Sequence, residues 1–318
     1  MTVGAAPPRR AGAAVWGRQR ERGSWFMLRL MTWISLRLGR PAGRLVLGLI
    51  AAYFFVFAGA ARRASRRYLD RALGRPAGRR DVLRHLFTFA ATIHDRVYLI
   101  NDRFDLFDIR IVGEEVIADV LRRGQGAVLL GAHFGSFEAL RAVGRRQPGL
   151  RVAMVMFEDN ARKINAALSA INPAAQADII PLGRFDSMLH VRDRLDAGVI
   201  VGMLGDRGLG GEDCMSVPFL GEAAPWPLGP LRMAAMLRRP VLFMCGIHLG
   251  GNRYEIRFES LADFGDAAAG ERQAAVRAAI VRYTARLEAL CRQHPYNWFN
   301  FFDFWHGPAA SGKSVPSP

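Results

Sequence analysis

The sequence predicts an α/β protein, a central and mainly parallel sheet flanked by helices, with a membrane-associated helical segment in front of it. Two observations carry this. From Ile109 onward, short apolar runs alternate with stretches of helical composition, the rhythm of strand–helix–strand units. Before residue 74 the chain instead holds its longest uncharged apolar run, Leu45–Ala61, closed off by Arg44 on one side and Arg62, Arg63, Arg66 and Arg67 on the other. With 318 residues and 51% hydrophobic content, one α/β core plus that segment accounts for the length.

In chain order, residues 1–23 mix Pro, Gly, Ala and Arg without periodicity and read as a disordered basic arm. They lack the order of a signal peptide. Residues 24–73 read as the membrane-associated segment. Trp25–Leu38 sets apolar residues against Arg29 and Arg37, as an interfacial helix would. Leu45–Ala61 falls a little short of the ~20 residues of a spanning helix, so it spans, embeds in part or packs on the domain, and the Arg62–Arg71 cluster favours a cytoplasmic C-terminal portion. Gly74–Arg80 is a linker. After Asp81 as N-cap, Val82–Ile100 reads as a helix. Candidate strands follow at Ile109–Val112, Ala127–Leu130, Arg151–Met156, Ile179–Leu182, Val199–Leu204, Val241–Ile247 and Tyr254–Phe258. Val276, Ile280, Tyr283, Leu287 and Leu290 recur at helical spacing and define the last helix. The α/β domain is expected over 80–306, and 307–318 as a disordered tail.

A net charge of +16, almost all of it arginine since Lys163 and Lys313 are the only lysines, suits polyanions: anionic headgroups, an acidic carrier protein or nucleic acid. The last is disfavoured, because the aromatic run 298–305 has no interleaved basic residues. Phosphate-binding glycine motifs are missing, so nucleotide hydrolysis has no support. Cys214, Cys245 and Cys291 are odd in number and widely spaced, which suggests a reduced compartment, no structural metal and, for Cys245, a core position.

The chemistry concentrates in Gly131-Ala-His133-Phe-Gly-Ser-Phe-Glu138. Gly131 permits a tight exit from the strand, and Phe134–Arg146 has helical composition, which sets His133 at the mouth of a crevice. A helix N-terminus keeps imidazole neutral and able to accept a proton, and Glu138 folded back toward the ring would fix its tautomer and stabilise the cation. The bland alternative is a capping histidine and a solvated glutamate. Asp206 and Arg207 follow the strand Val199–Leu204 and precede Gly208, Gly210 and Gly211. Arg207 there would hold a phosphate or a developing oxyanion, or else pair locally with Asp206. Asn160-Ala-Arg162-Lys163 is read as a helix start, either one able to receive an anionic headgroup or simply a solvated one, with Arg184 as a weaker candidate.

His133-x4-Glu138 resembles the signature of the lysophospholipid acyltransferase superfamily, and its glutamate form is similar to the branch of late lipid A biosynthesis acyltransferases and related bacterial glycolipid and aryl-polyene enzymes. Val201-Gly-Met-Leu-Gly-Asp206-Arg207-Gly, Val217-Pro-Phe-Leu-Gly-Glu222 and Trp298-Phe-Asn-Phe-Phe-Asp-Phe-Trp305 resemble further segments of that branch, in order, over residues 25 to 306. Arg207 replaces the branch's usual amide and the Trp-x-His-Arg ending of lipid A enzymes is absent, which points away from lipid A itself as acceptor. The resemblance implies a glycerolipid acyltransferase-like fold and transfer of an acyl group from acyl-carrier protein or acyl-CoA to a hydroxyl of a lipid or glycolipid. It further implies His133 as base, Glu138 as its partner, no metal or cofactor, and a place at the cytoplasmic face of a bacterial inner membrane. The alternatives are an acyl-thioester hydrolase and a non-catalytic basic membrane-binding protein on the same scaffold.

Overall fold

The computed structural model describes residues 25–306 apart from 148, 173–177, 184–185, 209–212, 267 and 269. The basic arm, the C-terminal tail, Arg184, Gly210 and Gly211 therefore lie outside the described residues.

Helices α1 (Trp25–Phe57), α2 (Gly59–Leu73) and α3 (Arg79–Ile100) come first. The α/β body then runs β1 (Asp108–Val112), α4 (Glu114–Arg123), β2 (Val128–Gly131), α5 (Arg141–Arg146), β3 (Val152–Phe157), α6 (Glu158–Ile171), β4 (Asp178–Leu182), α7 (Ser187–Asp196), β5 (Ile200–Leu204), β6 (Cys214–Phe219), β7 (Glu222–Pro227), α8 (Gly229–Met236), β8 (Pro240–Gly250), β9 (Arg253–Asp263) and α9 (Arg272–Gln293). Seven strands form one sheet in the order β1-β9-β8-β2-β5-β3-β4. Only β8 and β9 pair antiparallel; the remaining pairs are parallel. Strand β2 is central, between β5 and β8, and buried throughout, which is why it reads as an unbroken apolar run rather than an alternation. All seven predicted strands are present, and α9 buries the predicted Val276, Ile280, Tyr283, Leu287 and Leu290 face.

Four local features differ from the sequence reading. Cys214–Phe219 and Glu222–Pro227 form an antiparallel hairpin that the strand pattern did not reveal. Pro218, Pro225 and Pro227 mask it, yet each strand of a two-stranded ribbon is an edge and can carry proline. The turn, Leu220 and Gly221, has positive φ at both residues (52° and 88°), the geometry of a two-residue primed turn. Second, Asp81 is not the N-cap of α3 but sits inside its first turn, where its carboxylate accepts the Gly78 N–H at 2.9 Å. Third, Leu45–Ala61 is not one helix: it crosses the junction between α1 and α2 at Ala58. Fourth, Phe134–Arg146 is not one helix either. Residues 132–137 are irregular, Glu138–Leu140 makes a single 3₁₀ turn, and only Arg141–Arg146 is α-helical.

The physical reason for the last is a competition for backbone hydrogen bonds. Gly135 N–H donates to Asn297 O at 2.8 Å, Ser136 N–H to Gly246 O at 2.7 Å, and His133 O accepts from Phe299 N–H at 2.8 Å. A chain committed to these partners has no amides left for a helical ladder. The loop lies so close to β8 that a Cβ at Gly135 would stand 1.9 Å from Gly246 O, and φ there is 64°; both facts restrict the position to glycine.

Helix α1 turns at Gly39 (φ 79°), two residues before Pro41, where a proline suits the first turn of a new helical stretch. It is tied to the body by polar contacts. Arg40 Nε and Nη2 donate to the two carboxylate oxygens of buried Asp95 on α3 at 2.7 and 2.8 Å, and Tyr254 OH donates to Asp95 Oδ2 at 2.8 Å. Arg40 and Arg44 both donate to Gly251 O. The same helix exposes Trp33, Leu36, Leu38, Leu45, Leu49, Tyr53, Phe54, Val56 and Phe57.

Candidate active site

Parallel β2 and β5 lie side by side with Gly131 opposite Leu204, so the residues following each strand emerge at the same edge of the sheet. That register brings His133 and Asp206 together. His133 Nδ1 is 2.8 Å from Asp206 Oδ1, and the backbone N–H of His133 donates to Asp206 Oδ2 at 3.0 Å. A third donor, Trp298 Nε1–H, reaches Oδ2 at 2.9 Å. Asp206 is almost wholly buried. Burial by itself would raise its pKa, but the charges of His133 and Arg207 and the hydrogen bonds from His133 and Trp298 outweigh that and hold it well below the usual carboxylate range. An ionised carboxylate only accepts. Nδ1 therefore carries the ring proton, and Nε2 keeps its lone pair.

A third of the His133 side chain remains open, and it borders a cavity of about 360 Å³. Burial chiefly, aided by the Arg207 charge and opposed by Asp206, shifts its pKa below the ordinary histidine value. The imidazole is thus neutral at pH 7. The cause is desolvation rather than the helix N-terminus the sequence suggested, because no helix begins at His133.

The carboxylate on the ring is Asp206 and not Glu138. Glu138 Oε1 instead lies 2.7 Å from Arg96 Nε on α3. Arg96 borders the same cavity, and sequence reasoning missed it; its only sequence signal is the polar triplet His94-Asp95-Arg96 in the mostly apolar second half of the helix. Arg207 also lines the cavity. Its Nη2 donates to Phe299 O at 2.8 Å, its guanidinium sits 5.3 Å from the Phe302 ring centre, and its buried Nε has no partner among the described residues. Arg162 is an exposed residue in the second turn of α6, away from the cavity lining. That helix starts at Glu158, whose carboxylate in the first turn opposes an incoming anion.

The remaining cavity wall includes Phe89, Phe134, Phe137, Phe299, Phe301 and Phe302. The aromatic run 298–305 therefore divides. Trp298, Phe304 and Trp305 pack in the core against Phe219 of the hairpin, while Phe299, Phe301 and Phe302 face the cavity. Neither buried cysteine is poised as a nucleophile. Cys245 is a core residue whose thiol burial pushes up to about 12, and burial drives Cys291 higher still.

A neutral histidine backed by a buried carboxylate, at the C-terminal edge of a parallel sheet and beside an apolar cavity with two guanidinium groups, is suited to activating a hydroxyl for transfer chemistry. The chain belongs to the bacterial lipid A biosynthesis acyltransferase family, whose profile matches residues 18–306. It is accordingly an acyltransferase of lipid biosynthesis, taking an acyl donor and a lipid acceptor. Comparison with curated proteins gives no match.

Proposed function

We propose that this enzyme transfers an acyl group from a thioester, borne by acyl-carrier protein or coenzyme A, to a hydroxyl of a lipid or glycolipid at the cytoplasmic face of a bacterial inner membrane. The observation that carries the reading is the His133–Asp206 pair, which leaves Nε2 as an unprotonated base beside the cavity. The acceptor hydroxyl gives its proton to Nε2 as its oxygen attacks the thioester carbon, and Asp206 stabilises the imidazolium. The tetrahedral oxyanion meets the guanidinium of Arg207. Collapse breaks the carbon–sulfur bond, and the departing sulfur takes the proton back from Nε2. The transfer is direct, with no acyl-enzyme. The phenylalanine wall receives the acyl chain, and Glu138 contributes by holding Arg96 at the cavity. Arg162 has no part in this site. Lipid mass spectrometry of cells with and without the gene tests the proposal: an acylated species that disappears with the gene names acceptor and acyl group together, and an unchanged lipid profile would refute it.

Arg207→Lys keeps the charge and loses the planar fork. Because Arg207 reaches Phe299 O through one nitrogen and stacks on Phe302, lysine is expected to lower kcat by about tenfold or more, and alanine further. A melting-temperature loss in both variants with wild-type kcat would restrict Arg207 to holding the 299–302 segment.

We further propose that α1 lies in the plane of the membrane rather than across it. The Ser35–Phe57 stretch is long and apolar enough to cross a bilayer by length and composition. Yet Arg40 and Arg44 within it are bonded to Asp95 and Gly251 of the body, and a spanning position would carry those charges into hydrocarbon or break the contacts. An in-plane helix buries its exposed leucines and aromatics while nearby arginines meet anionic lipid, at about 1 kcal/mol each. Carbonate washing of membranes is expected to release the protein; retention in the pellet would mean a span.

A further inference from the structure

His85, on α3, is fully buried and outside the cavity lining. Its ring lies beside Tyr68 of α2 and the phenylalanine rings of 299 and 301. Nε2 is 2.9 Å from Trp298 O, and Nδ1 is 2.8 Å from Ser65 Oγ on α2. A carbonyl oxygen cannot donate, so Nε2 bears the proton and Nδ1 accepts from the Ser65 hydroxyl. Burial brings the His85 pKa down to about 4, and the ring is neutral at pH 7. A buried neutral histidine with both nitrogens engaged is a rigid spacer between two helices and one loop.

What it spaces is the residue on which the site turns. Trp298 donates its indole N–H to Asp206, its backbone pairs with Phe134 in an antiparallel bridge, and its neighbour Phe299 donates to His133 O. The Trp298 carbonyl has one other donor, Asn300 N–H at 2.9 Å, which comes from the same turn and cannot anchor that turn to the helices. His85 ties the carbonyl itself to α3, next to the bond that Tyr296 OH donates to Asp81 of the same helix at 2.8 Å. Hydrogen bonds run from Ser65 through His85 to the Trp298 carbonyl and from the Trp298 indole through Asp206 to His133, with the covalent frame of Trp298 joining the two halves.

We propose that His85 is a positioning residue for acyl transfer, fixing the Trp298 indole on Asp206 and through it the orientation of His133. The inference rests on His133 as the base. Without the anchored indole, the carboxylate loses one N–H donor, holds the imidazolium proton more strongly and aims the ring less well. Both effects act on turnover and on the pH at which the base is protonated, and leave donor binding alone.

The test uses the full-length enzyme with a series of acyl thioesters on carrier protein and on coenzyme A, and membrane lipid extracted from cells lacking the gene. Kinetic constants are taken per folded molecule. His85→Phe keeps an aromatic ring, somewhat larger than imidazole, and removes both hydrogen bonds. It is expected to lower kcat by about tenfold, the scale of one misdirected hydrogen bond, with KM little changed. The acid limb of kcat/KM should move to higher pH. Trp298→Phe should move it in the same direction, and the double variant no further than Trp298→Phe alone, because the two act in series. His85→Gln, whose amide can donate to Trp298 O and accept from Ser65, should restore most of the turnover and also provides a gentler variant if phenylalanine impairs folding. A purely structural histidine predicts another outcome: lower melting temperature and yield, with kcat and the acid limb of the folded fraction unchanged in both His85 variants. That outcome overturns the proposal. Should His133→Ala retain activity, the reading of the base itself fails; an inactive His133→Ala beside wild-type kinetics in the His85 variants rejects the positioning role alone.

Discussion

His133→Ala is expected to lower acyl transfer by about 10²–10⁴-fold, the usual worth of a general base, while leaving the melting temperature near that of the wild type. The side chain is partly open to the cavity and its ring makes one hydrogen bond, to Asp206; the loop around it is held by backbone bonds of residues 133, 135 and 136, which alanine keeps. Turnover assays on the purified variant check this, and wild-type-like rates would remove His133 from the mechanism. The wild type carries a matching pH signature. A base whose folded pKa lies below the ordinary histidine value stays unprotonated through neutrality, so kcat/KM should hold as the pH falls through the ordinary histidine value and decline only below it. An acid limb above that value would contradict the desolvated, Arg207-adjacent environment.

Asp206→Asn is expected to be nearly as damaging, again about 10²–10⁴-fold in kcat, and for a reason that the geometry makes specific. One carboxylate oxygen takes two N–H donors, from the His133 backbone and the Trp298 indole, and the other takes one, from His133 Nδ1. An asparagine satisfies more of these donors by turning its carbonyl oxygen to the pair and its NH2 to Nδ1. Nδ1 must then accept, the ring proton moves to Nε2, and the base is blocked by its own tautomer. Glu138→Gln provides the control. Its carbonyl oxygen can still meet Arg96 Nε, so the loss should be clearly smaller than for Asp206→Asn. The opposite ranking in side-by-side kcat measurements would return the histidine's partner to Glu138.

How far the sequence reached differs between fold and site. Seven strands and the amphipathic α9 were legible because periodicity and apolar runs are local properties that burial in a sheet enforces directly. The β6–β7 hairpin was not, because its prolines and its Leu220–Gly221 turn lack the usual strand and turn signals. His133, Asp206 and Arg207 were each singled out, since a polar residue just after an apolar strand must surface at a sheet edge. Which of them meet is another matter. The spacing of His133 and Glu138 suggests a helical turn that would fold the carboxylate back, but that turn never forms: the amides of residues 135 and 136 are taken by Asn297 and Gly246, partners more than a hundred positions away.

The sequence by itself determined the α/β class, the strand set, the apolar N-terminal segment and the residue types of the site, all of which follow from composition and short-range pattern. Tertiary structure alone decided the constellation. The parallel register of β2 against β5 brings His133 to Asp206, and the return of residues 297–299 brings the Trp298 indole onto the same carboxylate. The packing of α3 against the body gives Glu138 to Arg96 and sets His85 behind Trp298. Hydrogen bonds between residues so distant along the chain leave no periodic trace in it, because what selects them is the geometry of packed elements rather than the spacing of neighbours.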